Sequence, residues 1–251
     1  MKEMQKDLLK VKIADTRREM GEIAARDIHA RILELQSERE QINIIFAAAP
    51  SQNETLEALA AYDDIDWSRI NAFHMDEYVG LPKDAPQRFS IYLTEHIFKL
   101  KPFRTINYID PSNDGEGECA RYTELLKKYP VDIVILGIGE NGHIAFNDPH
   151  VADFNDARVV KLVELDEVCR KQQVNDGCFA DISEVPTHAL TLTVPTLFAA
   201  SSLFCSVPAP TKAWAVRETL TAEISERCPA TVMRRHKDAS LYCDSDSASL
   251  L

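Results

Sequence analysis

The stretch DIVILGIGENGHIAFNDP, residues 132–149, begins as a continuous apolar run and then breaks into a glycine-containing turn. A short apolar run of this kind is typical of a strand that is buried on both faces of a parallel sheet. The turn contains three of the chain's eight glycines, which allow the backbone to approach a ligand closely. Because ligands bind beyond the carboxyl ends of the strands in open α/β sheets, the stretch predicts both a fold class and a site.

Strand and helix patterns alternate along the rest of the chain. An amphipathic helix is expected from Asp15 to about Gln36, and Ser51 with Glu54 has the S-x-x-E pattern of a capping box. We find no internal repeat and no linker. The alternation therefore predicts one α/β domain over residues 1–251, with an open, mostly parallel sheet and helices on both faces. Its other main predicted strands are Ile42–Ala49, Arg69–Met75, Ala157–Val163, Ala189–Val194 and Ser201–Val207.

Composition limits the classes of protein to consider. The chain is 45% hydrophobic with a formal net charge of −12, which argues against a nucleic-acid partner because that would need a basic face. No stretch approaches the roughly 18 apolar residues of a membrane span, and the first residues have no apolar signal region. The six cysteines are scattered without a C-x-x-C pair, so free thiols are expected rather than disulfides or a zinc site. We therefore expect a cytoplasmic protein without a membrane partner.

Two acids and a lysine follow predicted strands and join His143 as candidates. Asp76 and Glu77 come after an apolar run, which would hold one of them near a dry cleft and raise its pKa into the range useful for a base. The alternative is that both acids are solvated or cap a helix. Lys212 opens a helix, where a lysine and free N–H groups together form an anion site. The alternative for Lys212 is an ordinary solvated lysine.

Two long motifs in the chain resemble a known family. FHMDEYVGLP at residues 73–82 and GIGENGHIAFNDP at residues 137–149 closely resemble the two signatures of the glucosamine-6-phosphate deaminases, also called isomerases. ALTLTVPTL at residues 189–197 and TKA at residues 211–213 resemble later motifs of that family. The resemblance covers roughly residues 40–245. The related 6-phosphogluconolactonases usually carry Asp-Glu-Arg where this chain has Asp-Glu-Tyr.

The resemblance implies the conversion of glucosamine 6-phosphate and water into fructose 6-phosphate and ammonia. His143 would move a proton between the ring oxygen and the O1 hydroxyl, a task suited to a group that titrates near neutrality. Asp148 and Asn141 would orient the imidazole, and Asp76 would carry the proton between C2 and C1. No metal or organic cofactor is needed, and homo-oligomers are common among such deaminases. The residues expected to contact the sugar phosphate are Ser51, Gln52, Gly139 and Lys212.

The chain departs from the family in two acidic positions and in its phosphate-binding elements. Asn141 and Asp148 stand where Asp and Glu are usual, and the shorter side chain at 148 moves the carboxylate by about 1.5 Å. Residues 47–54 replace a glycine-rich phosphate loop, and a capping box there would place the charge of Glu54 against a phosphate. The family's phosphate-binding arginine has no clear match, with Arg170 and Lys171 the nearest cations.

These departures keep two other functions open. The first is hydrolysis of a sugar lactone with His143 as the base, as in a 6-phosphogluconolactonase. The second is a sugar-phosphate-binding relative that has lost turnover, suggested by residues 49–53, Asn141 and Asp148.

Overall fold

The computed structural model describes residues 1–112 and 115–251, which contain eleven strands and seven α-helices. The strands are β1 Lys2–Lys6, β2 Leu9–Ile13, β3 Ile42–Phe46, β4 Ile70–His74, β5 Asp76–Tyr78, β6 Thr105–Asn107, β7 Ile133–Leu136, β8 Val160–Glu164, β9 His188–Leu192, β10 Ser202–Val207 and β11 Ala239–Cys243. The helices are α1 Arg17–Glu38, α2 Asn53–Ala60, α3 Phe89–Leu93, α4 Gly115–Lys128, α5 Glu167–Asn175, α6 Val194–Phe198 and α7 Ala213–Thr221.

Eight of these strands form one sheet in the order β1-β2-β11-β10-β7-β3-β4-β6. All its neighbouring pairs are parallel except the β1–β2 hairpin. Alternate residues of the central strands enter different cores: Ile133 and Ile135 pack with α1 and α2, whereas Val134 and Leu136 pack with α4 and α7. Helices therefore cover both faces, and the predicted fold class is confirmed.

A second, three-stranded antiparallel sheet has the order β5-β9-β8. The strands expected at Ala157–Val163 and Ala189–Val194 are present as β8 and β9, but they belong to this sheet and not to the parallel one. β4 ends at His74, and β5 starts after a single intervening residue, at Asp76, and pairs directly with β9. The short sheet thus fixes the backbone of Asp76 above the end of the main sheet.

Two predicted helix starts are wrong in detail. α1 is capped by Thr16, whose Oγ1 accepts a hydrogen bond from the N–H of Glu19 at 3.2 Å, and not by Asp15. The capping box of Ser51 and Glu54 does not form, because a short 3₁₀ turn over Pro50–Gln52 precedes α2. Glu54 instead pairs with Arg17 of α1 at 2.7 Å, and this ion pair ties the two helices together.

Two further observations concern the chain as a whole. In the described residues, no helix is both long enough and apolar enough to cross a membrane. The surface loop expected over Pro111–Gly117 includes residues 113 and 114, which lie outside the described residues, and α4 already begins at Gly115.

Candidate active site

The carboxyl ends of four neighbouring parallel strands, β4, β3, β7 and β10, surround one cleft. It contains about 490 Å³ of space that no atom fills. Six of the eight predicted site residues line this cleft: Ser51, Gln52, Asp76, Gly139, His143 and Lys212. The other two, Asn141 and Asp148, lie behind His143 and contact it. The position beyond the strand ends is the one expected for a ligand site in an open α/β sheet.

The adjacent acids Asp76 and Glu77 have different environments. Asp76 lines the cleft, is 6% exposed, and its carboxyl group has no hydrogen-bond partner among the residues described. Burial, together with the charge of Glu77, raises the pKa of Asp76 well above its usual value. Glu77 is fully buried and accepts hydrogen bonds from the N–H groups of Tyr78, Phe89 and Ser90 and from the Ser90 hydroxyl. Glu77 therefore holds the start of α3, and Asp76 is the acid that faces the cleft.

His74 fixes the backbone at Asp76. Its Nε2 accepts a hydrogen bond from the N–H of Ile109 at 2.8 Å, so the ring proton lies on Nδ1. Nδ1 then donates to the carbonyl of Asp76 at 2.9 Å. Burial lowers the pKa of His74, which keeps this ring neutral.

His143 presents one ring nitrogen to protein acceptors and the other to the cleft. Nδ1 lies 2.7 Å from Asn141 Oδ1 and 3.0 Å from Asp148 Oδ1, so it carries the proton that it donates to them. Nε2 has no hydrogen-bond partner in the described part of the chain and is available to a ligand. The ring lies flat against Gly139, where a Cβ would clash with it. Gly139 therefore leaves room for the imidazole, and its own N–H already donates to the His143 carbonyl at 2.9 Å.

Asn141 and Asp148 form one hydrogen-bonded unit with the imidazole. Asn141 Nδ2 donates to Asp148 Oδ1 at 2.9 Å and to Asp166 Oδ2 at 3.1 Å, which fixes the orientation of the amide. A carboxylate at 141 would face two other carboxylates, so the amide suits this position. The shorter side chain of Asp148 still reaches the imidazole. Burial alone would raise the pKa of Asp148, but His143 and the surrounding hydrogen bonds lower it to about 2.

Ser51 and Gln52 occupy the turn between β3 and α2. Gln52 Nε2 donates to the Ser206 carbonyl at 3.2 Å and to Ser51 Oγ at 3.0 Å, so the Ser51 hydroxyl keeps its own hydrogen free for a ligand. The N–H groups of Ala48 and Ala49, which also line the cleft, donate to no acceptor within residues 1–112 and 115–251. The turn thus offers several donors to an oxyanion, although Pro50 lacks one.

Lys212 is buried in the cleft, so the solvated-lysine alternative is wrong. It follows Ala209, whose φ of 85° lies in the left-handed region that favours glycine and whose N–H donates to Asp244 Oδ2 at 3.0 Å. Lys212 is 4% exposed, and its side chain forms no hydrogen bond or ion pair with the residues that the structure describes. Burial lowers its pKa, while Asp176 and Glu140 act in the opposite direction.

The cations considered as replacements for the missing arginine are elsewhere. Arg170 donates to the carbonyls of Ile182 and Val185, and Lys171 pairs with Glu167 on the surface of α5. The same helix instead contributes Gln172 and Gln173 to the cleft. Both side chains are neutral, so no charge pattern in the sequence marks them as site residues.

The two glutamines differ in how they are used. Gln172 Oε1 accepts a hydrogen bond from the N–H of Glu140 at 2.8 Å, and Nε2 donates to Asp176 Oδ2 at 3.3 Å. Gln173 is 6% exposed; its amide group remains accessible to solvent and has no hydrogen-bond partner among the described residues. Gln172 is therefore committed to the protein, and Gln173 is available to a ligand.

One cluster behind the cleft has the donor types of a metal site. The ligand atoms of His143, Asp148 and Cys169 lie within 4.8 Å of one another. Burial and the nearby carboxylates raise the pKa of the Cys169 thiol well above its usual value, and the thiol hydrogen-bonds to Asp148. In the structure these three side chains form a hydrogen-bond network around Asp148.

An acid that follows one strand and a histidine that follows another line the same cleft of a mostly parallel sheet. This combination of fold and site is that of a known class of proteins. A sequence profile described as glucosamine-6-phosphate isomerases/6-phosphogluconolactonase matches residues 15–242. The chain belongs to this family.

Individual relatives narrow the comparison. The chain is 34% identical over 212 residues to a glucosamine-6-phosphate deaminase of Listeria monocytogenes, covering 84% of this chain and 88% of the relative. A glucosamine-6-phosphate deaminase of Bacillus cereus is 39% identical over 188 residues, 74% of this chain and 70% of the relative. The structure of a monomeric glucosamine-6-phosphate deaminase superposes with a TM-score of 0.88 at 29% identity, covering 99% of this chain and 100% of that one. A 6-phosphogluconolactonase from Thermotoga maritima shares the fold, with a TM-score of 0.77 at 20% identity over 94% of this chain and 99% of that one.

Proposed function

We propose that the protein is a deaminase and aldose–ketose isomerase that converts glucosamine 6-phosphate and water into fructose 6-phosphate and ammonia. The observation that carries the proposal is that an unpartnered carboxyl group, Asp76, and an unpartnered imidazole nitrogen, His143 Nε2, line the same cleft. An isomerase needs one group for ring opening and a second for proton transfer between adjacent carbons. The family relatives named for this reaction support the assignment.

His143 serves the first step. Its Nε2 takes the proton from the O1 hydroxyl of the pyranose and returns it to the ring oxygen as the C1–O5 bond breaks. The positive charge that develops on the imidazole of His143 is stabilised by Asp148, whose pKa of about 2 keeps Asp148 ionised at working pH. Asn141 keeps the ring orientation that points Nε2 into the cleft.

Asp76 serves the second step. As a carboxylate it removes the proton from C2 while the aldehyde oxygen O1 takes up a proton. As a carboxylic acid it then delivers the C2 proton to C1 while the nitrogen gives up one proton, so the 2-amino aldose becomes the isomeric 2-imino compound. Water then adds at C2, and ammonia leaves with the ketose phosphate. Because burial raises the pKa of Asp76, the ionised form that starts the transfer grows as the pH rises through that pKa.

The oxyanion ester is assigned to Lys212 and to the turn between β3 and α2, which line the same cleft. Lys212 supplies the positive charge, and the Ser51 hydroxyl with the N–H groups of Ala48 and Ala49 supplies neutral donors. Gln52 positions the Ser51 hydroxyl rather than donating to the ester itself. Glu54 lies close to this turn, but Arg17 neutralises its charge, so Glu54 does not repel an anion as an unpaired carboxylate would.

The test is direct. Purified protein is incubated with glucosamine 6-phosphate, and ammonia and fructose 6-phosphate are measured together. We expect the two products in equal amounts, and a rate that is about 10²–10⁴-fold lower with Asp76→Asn. The absence of both products at high enzyme concentration would refute the assignment. Acid release from 6-phosphogluconolactone above the spontaneous rate would favour the lactone hydrolase.

A further inference from the structure

Lys212 is the one lysine or arginine that lines the cleft in the described part of the chain. Two arginines in segments that contribute to the cleft's lining, or contact such a segment, are already engaged by the protein. Arg17 pairs with Glu54 and donates to the Pro50 carbonyl, and Arg170 donates to two backbone carbonyls of the segment after α5. A substrate entering the cleft therefore meets a single formal positive charge.

The remaining donors at this end of the cleft are neutral. Gln173 lines the same cleft as Lys212 and Ser51, and its solvent-accessible amide has no protein partner among the described residues. An amide that faces the cleft without a protein partner can donate to an oxygen or hydroxyl of a ligand that enters there. An amide and a hydroxyl can hydrogen-bond an oxyanion, but they cannot neutralise it.

Acidic groups make a second negative charge still less favourable. Glu140 and Asp176 are close enough to Lys212 to act on it electrostatically, and the whole chain carries a net charge of −12. A phosphate monoester with two negative charges would leave one of them uncompensated in a buried cleft, and uncompensated buried charge is strongly disfavoured. An ester with one negative charge is matched by Lys212 alone.

We propose that the cleft selects an amino-sugar ester whose tetrahedral oxyanion carries a single negative charge. This inference rests on the proposed function and specifies its substrate. Two compounds have this chemistry: the monoanion of glucosamine 6-phosphate, which predominates below its second ionisation near about pH 6, and glucosamine 6-sulfate, which is singly charged at every working pH. Gln173 is then the residue that determines specificity, because it adds a neutral group to a cleft in which Lys212 is the one lining cation among the described residues.

The experiment compares the two esters over pH. The kcat/KM for glucosamine 6-phosphate and for glucosamine 6-sulfate is measured by ammonia release between pH 6 and 8.5 at constant ionic strength. Ionisations of the protein affect both esters and cancel in the ratio. We expect the phosphate-to-sulfate ratio to fall roughly tenfold for each pH unit above about 6, in step with the loss of the phosphate monoanion.

Two variants of α5 test the role of Gln173 in this selectivity. Gln173→Arg adds the missing charge inside the cleft, and we expect it to remove the pH dependence of the ratio by raising kcat/KM for the phosphate at pH 8 at least tenfold. Val168→Arg adds the same charge on the same helix at a side chain that is exposed and outside the cleft. We expect Val168→Arg to leave the ratio as it is in the unmodified protein.

The outcomes separate this inference from the proposed function. Ammonia release from the phosphate with a ratio that stays constant or rises with pH overturns the inference and leaves the proposed function intact. No ammonia from either ester refutes the proposed function. The charge preference is then decided by thermal shift with the two esters at pH 6 and 8.5, where an equal or larger shift by the phosphate at pH 8.5 overturns the inference.

Discussion

Replacing Asp76 with Asn tests the chemistry of the cleft without changing its shape. The Asp76 carboxyl has no hydrogen-bond partner among the described residues, so the amide breaks no protein contact. It also cannot carry a proton between C2 and C1. We expect kcat for ammonia release to fall by about 10²–10⁴-fold, the usual contribution of a general acid–base group, with the melting temperature unchanged or raised. Steady-state kinetics and thermal unfolding of the same preparation check both expectations.

Glu77→Gln is the matched control for Asp76→Asn, because it is the same isosteric change at the next residue. Glu77 accepts four hydrogen bonds, three of them from the start of α3, and Gln would turn an N–H₂ group towards donors. Bonds to a charged group contribute about 1.5–3 kcal/mol each at most, so we expect a clear loss of stability. The assignment of roles to the two acids is wrong if Asp76→Asn unfolds the protein while Glu77→Gln abolishes turnover in a stable one.

Asp148 makes the folded state sensitive to acid. Its pKa is lowered to about 2 in the fold, so the folded protein binds its proton less readily than the unfolded chain does. The resulting stability is fully present above the ordinary carboxyl pKa near 3.8 and is lost as the pH falls through about 2. We expect Asp148→Asn to lower the free energy of unfolding at pH 7 by on the order of 2 kcal/mol and to make it less dependent on pH between 4 and 2. Denaturant titrations at several pH values measure this, and parallel curves for the two proteins would contradict it.

The sequence could identify the reactive residue types but not their pairing. His143, Asp76 and Lys212 stood out because each follows a strand, and all three line the cleft. Which of two adjacent acids faces the cleft depends on the antiparallel pairing of β5 with β9, which no local pattern encodes. Gln173 was missed for a different reason, since a neutral amide has no electrostatic signature in a sequence.

At the scale of elements, the contact between α1 and α2 controls the turn that carries Ser51. Gly21 of α1 is packed against α2 so closely that a Cβ would lie 2.7 Å from the carbonyl carbon of Glu54 and 2.9 Å from the Thr55 nitrogen. Gly21→Ala gains up to about 1 kcal/mol of helix propensity, but overpacking against backbone costs about 1–3 kcal/mol. We expect a lower melting temperature and a raised KM, because α2 must shift and the Pro50–Gln52 turn precedes it directly.

Glu22→Ala is the control for this contact, because Glu22 is the next residue of α1 and its side chain is exposed. We expect Glu22→Ala to change neither the melting temperature nor KM appreciably. Equal melting temperatures of the Gly21→Ala and Glu22→Ala proteins would contradict this expectation, because α2 would then shift without a loss of stability.

Elements with strong apolar runs were predictable, and those set by tertiary pairing were not. β3, β4, β7 and β10 coincide with predicted strands, since buried parallel strands are apolar throughout. The capping box at Ser51 and Glu54 failed because Arg17, thirty-seven residues before Glu54, offers that carboxylate a stronger partner than a backbone N–H. A local capping pattern therefore predicts the structure only where no distant residue competes for the same side chain.

At the scale of the whole molecule, the net charge of −12 opposes the approach of an anionic substrate. Salt screens this repulsion, with a Debye length of about 30 Å at 0.01 M and about 10 Å at 0.1 M. The attraction by Lys212 is screened much less, because Lys212 is buried and acts at short range. We therefore expect kcat/KM for glucosamine 6-phosphate to rise severalfold between 0.01 and 0.15 M sodium chloride, while kcat at saturation stays constant. A kcat/KM that falls with salt would mean that attraction at the cleft outweighs the field of the whole chain.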